Sequence, residues 1–599
     1  MTLVHSFTRF AGIADGEPDQ STWIEHSAES CHSKAMRPSL HSLRILPAIV
    51  CALSTTLVAQ LPVGPRLQKG FNAIEERDLR SNLTFIAGDG LEGRMSLQPG
   101  DDAAAEWVAS EFAKAGLEPA ATDASQKPSF LQAVPLVEYK PDPSATTLSL
   151  SRPGGAQQQW HAPEVTCTFR DNVDTAGGLV YVGYGITAPE LGYDDYADID
   201  VRGKIVLLME HEPQENDPKS IFNGTGNTRY ATSRVKLLNA QKHGAVAVLL
   251  MPEPNATHVS SAKRLANILV GVTAKRLTPI PLQAIVNDEV GIALMTVPLG
   301  VADELLKNSG VTAKELQTSI DRDLKAHSFE LAGIELHLQT KNSSTRTATT
   351  YNVAGLLPGI DPTLAAEAVI VSGHHDHNGS SEVEEQDGRH HLDIWHGADD
   401  NGSGTVGVVE LAHAFAANPV KPKRSVLFIV FASEERGLLG SYYMARHPLR
   451  PLATTRAMVN FDMIGRDEKP SPQTDGVIDI PGDTTNRLNL IGTLYSPDFL
   501  HTIERENEHI GLTLDDRFER DTALGIFFRS DQFPFILHDV PSLWFFTGFH
   551  PDYHHVTDTV DKIDFTKMTK IVRLSYLTLF AIADEEQTPR FIANPALGK

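Results

Sequence analysis

Five short stretches put acidic or imidazole groups directly after an apolar run or inside a glycine-bounded loop. They hold His374 with Asp376, Asp400, the pair Glu434 and Glu435, Asp462, and Tyr553 with His554. The run RSVLFIVFAS leads straight into Glu434 and Glu435, and VNF leads straight into Asp462. Carboxylates that end a buried strand are costly unless something positive neutralises them. A metal ion held by His, Asp and Glu does so, and it also activates water for hydrolysis. Taken one at a time, these groups have plainer readings. His374 suits a strand cap, Asp400 a helix N-cap ahead of Gly402 and Ser403, and Glu434 with Glu435 a solvated turn before Arg436 and Gly437. All five at the strand ends of one sheet point to a metal centre instead.

Such groups meet only if strands and helices alternate around them. Apolar runs without alternation predict strands over Ala368–Gly373, Ser425–Ala432, Ala457–Phe461 and Ser542–Phe546. Amphipathic spacing predicts helices over Thr405–Ala417, Leu438–Arg446, Phe499–Ile510 and Phe565–Ile582. Continuous apolar strands separated by helices imply an α/β fold, a mostly parallel central sheet with helices on both faces. In such sheets ligand groups collect outside the carboxyl ends of the strands. Upstream, alanine-rich spacing predicts a helix over Ala103–Ala115, closed by Gly116 and Pro119, and alternation in ATTLSLS predicts strands between about Ala133 and Leu150.

Residues 150 to about 340 have a different texture. GGLVYVGYGI and GKIVLLME are strand runs, and VKLLNAQKHGAVAVLLMPEP reads as a helix followed by a strand. Few histidines or carboxylates cluster at strand ends there, and HEPQEND reads as a solvated loop. Chemistry is expected elsewhere.

With 599 residues the chain is too long for one ordinary core, so two or three domains are expected. A hydrophobic content of 41% with 21% charged residues is that of a globular protein. The net charge of −24 excludes a nucleic-acid backbone as the natural partner. Cys31, Cys51 and Cys167 are too few for a disulfide framework or a thiolate metal cluster, so a metal site must use His, Asp and Glu. From Met36, Arg37 and Arg44 precede an apolar stretch from Ile45 to Ala59, which reads as a secretory signal over 36–59, too short for a comfortable membrane span. Met36 is then the expected start, with 1–35 a mis-called or disordered extension. Cys51 suggests lipidation, but Ala48, Ile49 and Val50 before it match a lipoprotein signal poorly. A secreted or periplasmic protein without a stable membrane span follows from this reading.

The segments VSGHHDHNG, HGADDNGSG, FASEERGLLGS, NFDMIGR and PDYHHVTDT, in this order, resemble the co-catalytic di-zinc aminopeptidases of the MH metallopeptidase clan, of the peptidase family M28 type. The early segment LTFIAGDGLEGR is similar to one in that family, and GYGITAPELGYDDYADIDVRGKIVLL resembles a protease-associated (PA) domain. The resemblance implies a zinc-peptidase/phosphorylase-like domain in two pieces, 66–148 and 345–585, with a strand-rich PA domain inserted over 149–344. It implies two Zn²⁺ per chain and peptide substrates with a free N-terminus. Residue by residue, it makes His374 the first zinc ligand and Asp376 the carboxylate behind it. Asp400 becomes the bridge between both metals, Glu434 the general base, Glu435 a ligand of one zinc and Asp462 a ligand of the other. His554 becomes the last ligand, with Tyr553 helping to stabilise the oxyanion.

The remaining histidines of the loop, His375, His377, His390, His391 and His396, are not required as ligands and are expected to be solvated or to support the ligands from behind. His555 rivals His554, and only the spacing to Asp558 favours the latter. Trp544, Phe545 and Phe546 are expected in the strand core, and Arg529, Ser530 and Asp531 sit where relatives have pocket residues. A carboxypeptidase or a glutaminyl cyclase of the same clan, and a non-catalytic receptor-like protein, are the alternatives.

Overall fold

The computed structural model describes residues 60–257, 271–273, 276–385, 387–474, 477–521 and 524–595. The expected leader segments, 1–35 and 36–59, lie outside the described residues. Among the described residues no helix is long and apolar enough to cross a membrane.

In chain order the elements that matter are α1 (Pro99–Lys114), β1 (Leu131–Ser151), β2 (Val173–Tyr181), β3 (Ile205–Met209), α2 (Ser233–Lys242), β4 (Ala247–Met251), β5 (Ala293–Thr296) and β6 (Phe329–Leu357). They continue with β7 (Ala368–His374), α3 (Gly404–Ala417), β8 (Ser425–Phe431), α4 (Leu439–Arg446), β9 (Thr455–Phe461), β10 (Arg487–Ile491), α5 (Pro497–Asn507), β11 (Thr513–Asp515), β12 (Ser542–Phe546) and α6 (Phe565–Asp584). One large mixed sheet runs β11-β10-β12-β9-β7-β8-β6-β2-β3-β4-β5. Strand β7 lies parallel to both β8 and β9, and β9 parallel to β12. On the other side, β2, β3, β4 and β5 form a second parallel block.

The two blocks meet at β6, which is antiparallel to both β8 and β2. Strand β1 pairs with β6 over most of its length, from Glu335 opposite Ser151 to Val353 opposite Leu131. This ribbon carries the chain into the inserted block and back out. Both expected domain borders, at 148/149 and 344/345, fall inside these two continuous strands.

The apolar strands lack alternation because both faces are covered. In β8, Val426, Phe428 and Val430 enter the core shared with α1, α3 and α6. Leu427, Ile429 and Phe431 enter the opposite core, together with Met444 of α4. Val369 and Val371 of β7 divide from Ile370 in the same way. Helix α5 ends at Asn507, before the predicted Ile510, because the Asn507 side chain both accepts the Leu512 N–H and donates to the Leu512 carbonyl.

The inserted block departs from one expectation. His211, Glu212 and Glu215 of the HEPQEND stretch are buried, not solvated. His211 Nδ1 lies 3.0 Å from Glu253 Oε2 and 3.8 Å from Glu215 Oε1, at the carboxyl ends of β3 and β4. Burial pushes the Glu212 carboxyl up to about 8. The strands there do end in a titratable cluster, which the stretch's polar composition concealed.

Candidate metal centre

Parallel neighbours deliver their carboxyl ends to one edge. His374 is the last residue of β7 and stands in register with Phe431 of β8. Glu434 and Glu435 follow β8 after a turn at Ser433, Asp462 follows β9 directly, and the loop after β12 carries His550, Tyr553 and His554. Ser433, Met463 and His554 all have left-handed backbones, with φ of 55°, 58° and 60°. For non-glycine residues each costs on the order of 1–2 kcal/mol. The strain falls beside or on site residues, where surrounding contacts hold it.

Asp400 arrives from the loop before α3. Gly397, at φ 55°, starts that turn, and a Cβ there would lie 2.1 Å from the Asp400 carbonyl and 2.5 Å from the His377 ring. Only glycine fits. The Asp558 carboxylate accepts the backbone N–H groups of Asp399 at 2.9 Å and Asp400 at 3.1 Å. Arg94, fully buried, donates to the carbonyls of Ile86, His375, His396 and Gly397. One guanidinium thus ties the His374–His377 turn to the Asp400 turn. Burial lowers Arg94 to about 10, opposed by Asp376, Asp400, Asp558 and Asp101, so it stays charged at neutral pH.

The side chains converge in two groups that share Asp400. His374 Nε2 lies 3.5 Å from Asp400 Oδ1 and 3.7 Å from both Asp462 Oδ1 and Glu434 Oε2. His554 Nε2 lies 3.1 Å from Asp400 Oδ2 and 3.2 Å from Glu435 Oε2. His374, Asp400 and Asp462 place one donor atom each within 4.8 Å of one another. A second potential ligand trio at this edge is His377, Asp400 and Glu435.

The donor set fits zinc. Donors about 2.0–2.2 Å from a tetrahedral ion stand roughly 3.3–3.6 Å apart, close to these separations. His374 Nε2 is buried and makes no hydrogen bond among the described residues. Asp376, Asp400, Glu434 and Asp462 each lie within 3.7 Å of the His374 ring nitrogens, an excess of buried negative charge that cations would offset.

The carboxylates are not equivalent. Burial, with Asp462, Asp531 and Glu435 nearby, drives Glu434 well above the ordinary carboxylate range, and His374 only partly opposes this. Burial acts the same way on Glu435, but His554 and His377 outweigh it and hold Glu435 well below that range. The neighbours are thus electrostatically distinct, one suited to carry a proton and the other to remain an anion.

Around this centre, Asp376 Oδ1 and Oδ2 accept the backbone N–H groups of Glu434 at 2.9 Å and Glu435 at 3.2 Å. Its contact with the His374 ring is longer, at 3.7 Å, and the nearer partner of His374 Nδ1 is the Asp376 carbonyl at 3.2 Å. Asp376 therefore positions the glutamate turn more directly than the imidazole. The Tyr553 ring stacks on His554 at 3.9 Å, and Arg529 donates to the Tyr553 hydroxyl at 3.1 Å. Ser530 donates to Asp462 Oδ2 at 2.6 Å. Asp531 is fully buried, and burial pushes its carboxyl up to about 7. Of these three expected pocket residues, Arg529 alone is not buried; Ser530 and Asp531 lie beneath the centre.

The five extra histidines separate into kinds. His390 and His391 are exposed on a hairpin, and His396 pairs with Asp89 at 2.8 Å. His375 is buried, with Nδ1 2.9 Å from Asp101. His377 is also buried, and its Nδ1 lies 2.6 Å from Glu435 Oε1, so it belongs to the centre rather than to solvent. His555 is only half-buried. Sequence reasoning missed His550, whose Nε2 lies 3.3 Å from Asp399 beneath the centre, and the clamp by Arg94. The GDGLEGR turn was the available signal for the latter. Trp544, Phe545 and Phe546 are core residues, and Trp544 Nε1 also donates to the Asp462 carbonyl.

The chain is similar to known proteins over several stretches. Residues 352–578 match the model of Peptidase family M28, and residues 172–280 match the PA domain. Leupeptin-inactivating enzyme 1 of Streptomyces exfoliatus is 34% identical over 145 residues, which cover 24% of this chain and 28% of that one. The probable lipoprotein aminopeptidase LpqL of Mycobacterium tuberculosis is 30% identical over 193 residues, 29% of this chain and 37% of that one. The chain thus spans well under two thirds of the length of these curated relatives. Among solved structures, an aminopeptidase from Aneurinibacillus sp. strain AM-1 aligns with a TM-score of 0.45 and 18% identity, over 87% of this chain and 97% of that one. The five motifs gathered at one sheet edge all lie within the stretch that matches peptidase family M28, and β2, β3 and β4 lie within the stretch that matches the PA domain.

Proposed function

We propose that the protein is a di-zinc aminopeptidase that removes N-terminal residues from peptides. The observation that carries this reading is the orientation of Asp400, whose two oxygens face two different imidazoles, His374 and His554. A carboxylate so placed suits a bridge. His374, Asp400 and Asp462 would hold one ion, and Asp400, Glu435 and His554 the other. When bound, two zinc ions supply Lewis acidity to the scissile carbonyl and lower the pKa of the attacking water.

The remaining work falls to the chain itself. Glu434 takes the proton from the attacking water and returns it to the leaving amine, a task suited to a carboxylate whose proton affinity is raised. Asp376 fixes the turn that aims Glu434. The Tyr553 hydroxyl accepts from Arg529, which leaves its own hydrogen to donate to the developing oxyanion. The curated relative named as a probable aminopeptidase, LpqL, supports the reaction class.

The test is hydrolysis of aminoacyl anilides and short peptides by purified protein, with and without chelator. Release of N-terminal residues that ceases on chelation and on N-terminal blocking is expected. Cleavage that survives N-terminal blocking but fails on C-terminal amidation would make the protein a carboxypeptidase instead. We also propose that the unit 149–344 is an inserted domain and that the protein acts outside the cytoplasm. The latter rests on the apolar segment ending at Ala59 and is tested by the N-terminal sequence of protein from fractionated cells.

A further inference from the structure

We propose that the inserted domain holds one of the two metal positions, through Gly271 and residues 276–278, and that Arg276 is its positioning residue. The inference rests on the di-zinc reading. Arg276 donates from Nη1 to the Asn378 carbonyl at 2.9 Å and from Nη2 to the Ser380 carbonyl at 3.1 Å. Its guanidinium lies 4.3 Å from the centre of the Trp395 ring, and Trp395 Nε1 donates to the Gly271 carbonyl at 2.9 Å. Leu277 N–H donates to the Glu382 carbonyl, and Thr278 N–H to Ser381 Oγ. The stretch is thus fastened along the chain that follows His377.

From there the contacts reach one metal position. Asn378, whose backbone Arg276 grips, donates from Nδ2 to Glu435 Oε1 at 3.1 Å, and its Oδ1 accepts from Arg436. On the other side, Gly271 packs against the segment carrying His554. A Cβ there would lie 2.6 Å from the His554 carbonyl and 2.7 Å from the His555 ring. Glu435 and His554 are the two unshared ligands of the same proposed ion.

The other ion's ligands are held differently. The His374 carbonyl accepts from Thr405 of α3, and Asp462 accepts from Ser530 and, through its carbonyl, from Trp544 of β12. Those groups come from α3, β12 and the loop that carries Ser530, all outside the inserted block. The support of the two positions is therefore asymmetric. Loosening the inserted domain's grip weakens the Glu435–His554 position and spares the His374–Asp462 position.

The experiment uses the full-length zinc-loaded protein and follows release of each ion to a chromogenic chelator, with total metal counted by elemental analysis. Arg276→Ala is expected to release one ion per chain about 10–100-fold faster than wild type, the range for removing groups that orient ligands. The second ion leaves at the wild-type rate. Arg276→Lys keeps the charge but not the two-carbonyl fork, so it restores retention only in part. Gly271→Ala, which presses on the His554 backbone instead, should accelerate the same single ion and serves if Arg276→Ala does not fold. Release of both ions at wild-type rates, or acceleration of both together, overturns the inference. A wild-type protein that binds fewer than two ions overturns the di-zinc reading itself.

Discussion

The Asp376 carboxylate accepts the backbone N–H of Glu434 at 2.9 Å, so a residue that ligates nothing in the proposed scheme sets the position of the proposed base. Its other oxygen accepts from Glu435, which makes it the common support of the base and a ligand. Asp376→Ala is expected to lower kcat and to weaken metal binding about 10–100-fold. Asp376→Asn keeps one acceptor oxygen and should fall between the two. Steady-state kinetics with metal titration checks this, and an unchanged kcat in Asp376→Ala would show that the turn holds itself.

His377 and His554 both approach Glu435, yet only His554 Nε2 also comes within 3.1 Å of Asp400. A ligand of the shared position must reach both carboxylates. His554→Ala is therefore expected to lose one ion per chain, whereas His377→Ala keeps both with a modest loss of affinity. Elemental analysis of the two variants decides, and the reverse pattern would exchange their roles.

Glu519 supplies a pH-dependent contribution away from the centre. It is buried and accepts from the backbone N–H groups of Gly492 and Thr493 and from the Thr493 hydroxyl. Burial nonetheless pushes it up from an ordinary 4.5 to about 7. Its folded value exceeds its unfolded one, so its stabilising contribution is full below about 4.5 and is lost as pH rises through about 7. Glu519→Gln should gain on wild type, on the order of 2–3 kcal/mol, between about pH 4 and about pH 8. Urea unfolding at both pH values checks this, and a pH-independent difference would contradict it.

Much of this organisation is legible in the sequence. Strands such as Ser542–Phe546 declared themselves because burial on both faces demands an unbroken apolar run. The ends of those runs pointed to His374, Glu434, Glu435 and Asp462, since parallel strands collect their carboxyl ends at one edge. The long strand Phe329–Leu357 was not legible, because its middle is polar and exposed and its register comes from pairing with Leu131–Ser151. His377 was read together with four other histidines because composition cannot separate a buried imidazole from solvated ones, such as His390 and His391, in the same loop. The same limit hid the HEPQEND cluster, whose burial depends on Glu253 some forty residues on. Arg94 sits in a turn whose purpose appears only when its four carbonyl partners, up to 303 residues distant, come together.

In the proposed mechanism Glu434 moves the proton while its neighbours hold the metals. Glu434→Gln, assayed for zinc content and single-substrate turnover on the same preparation, tests it most directly. Both ions are expected to remain, with turnover reduced about 10²–10⁴-fold, the range for loss of a general base. Near-normal turnover with both ions bound would contradict the assignment, and loss of an ion would make Glu434 a ligand.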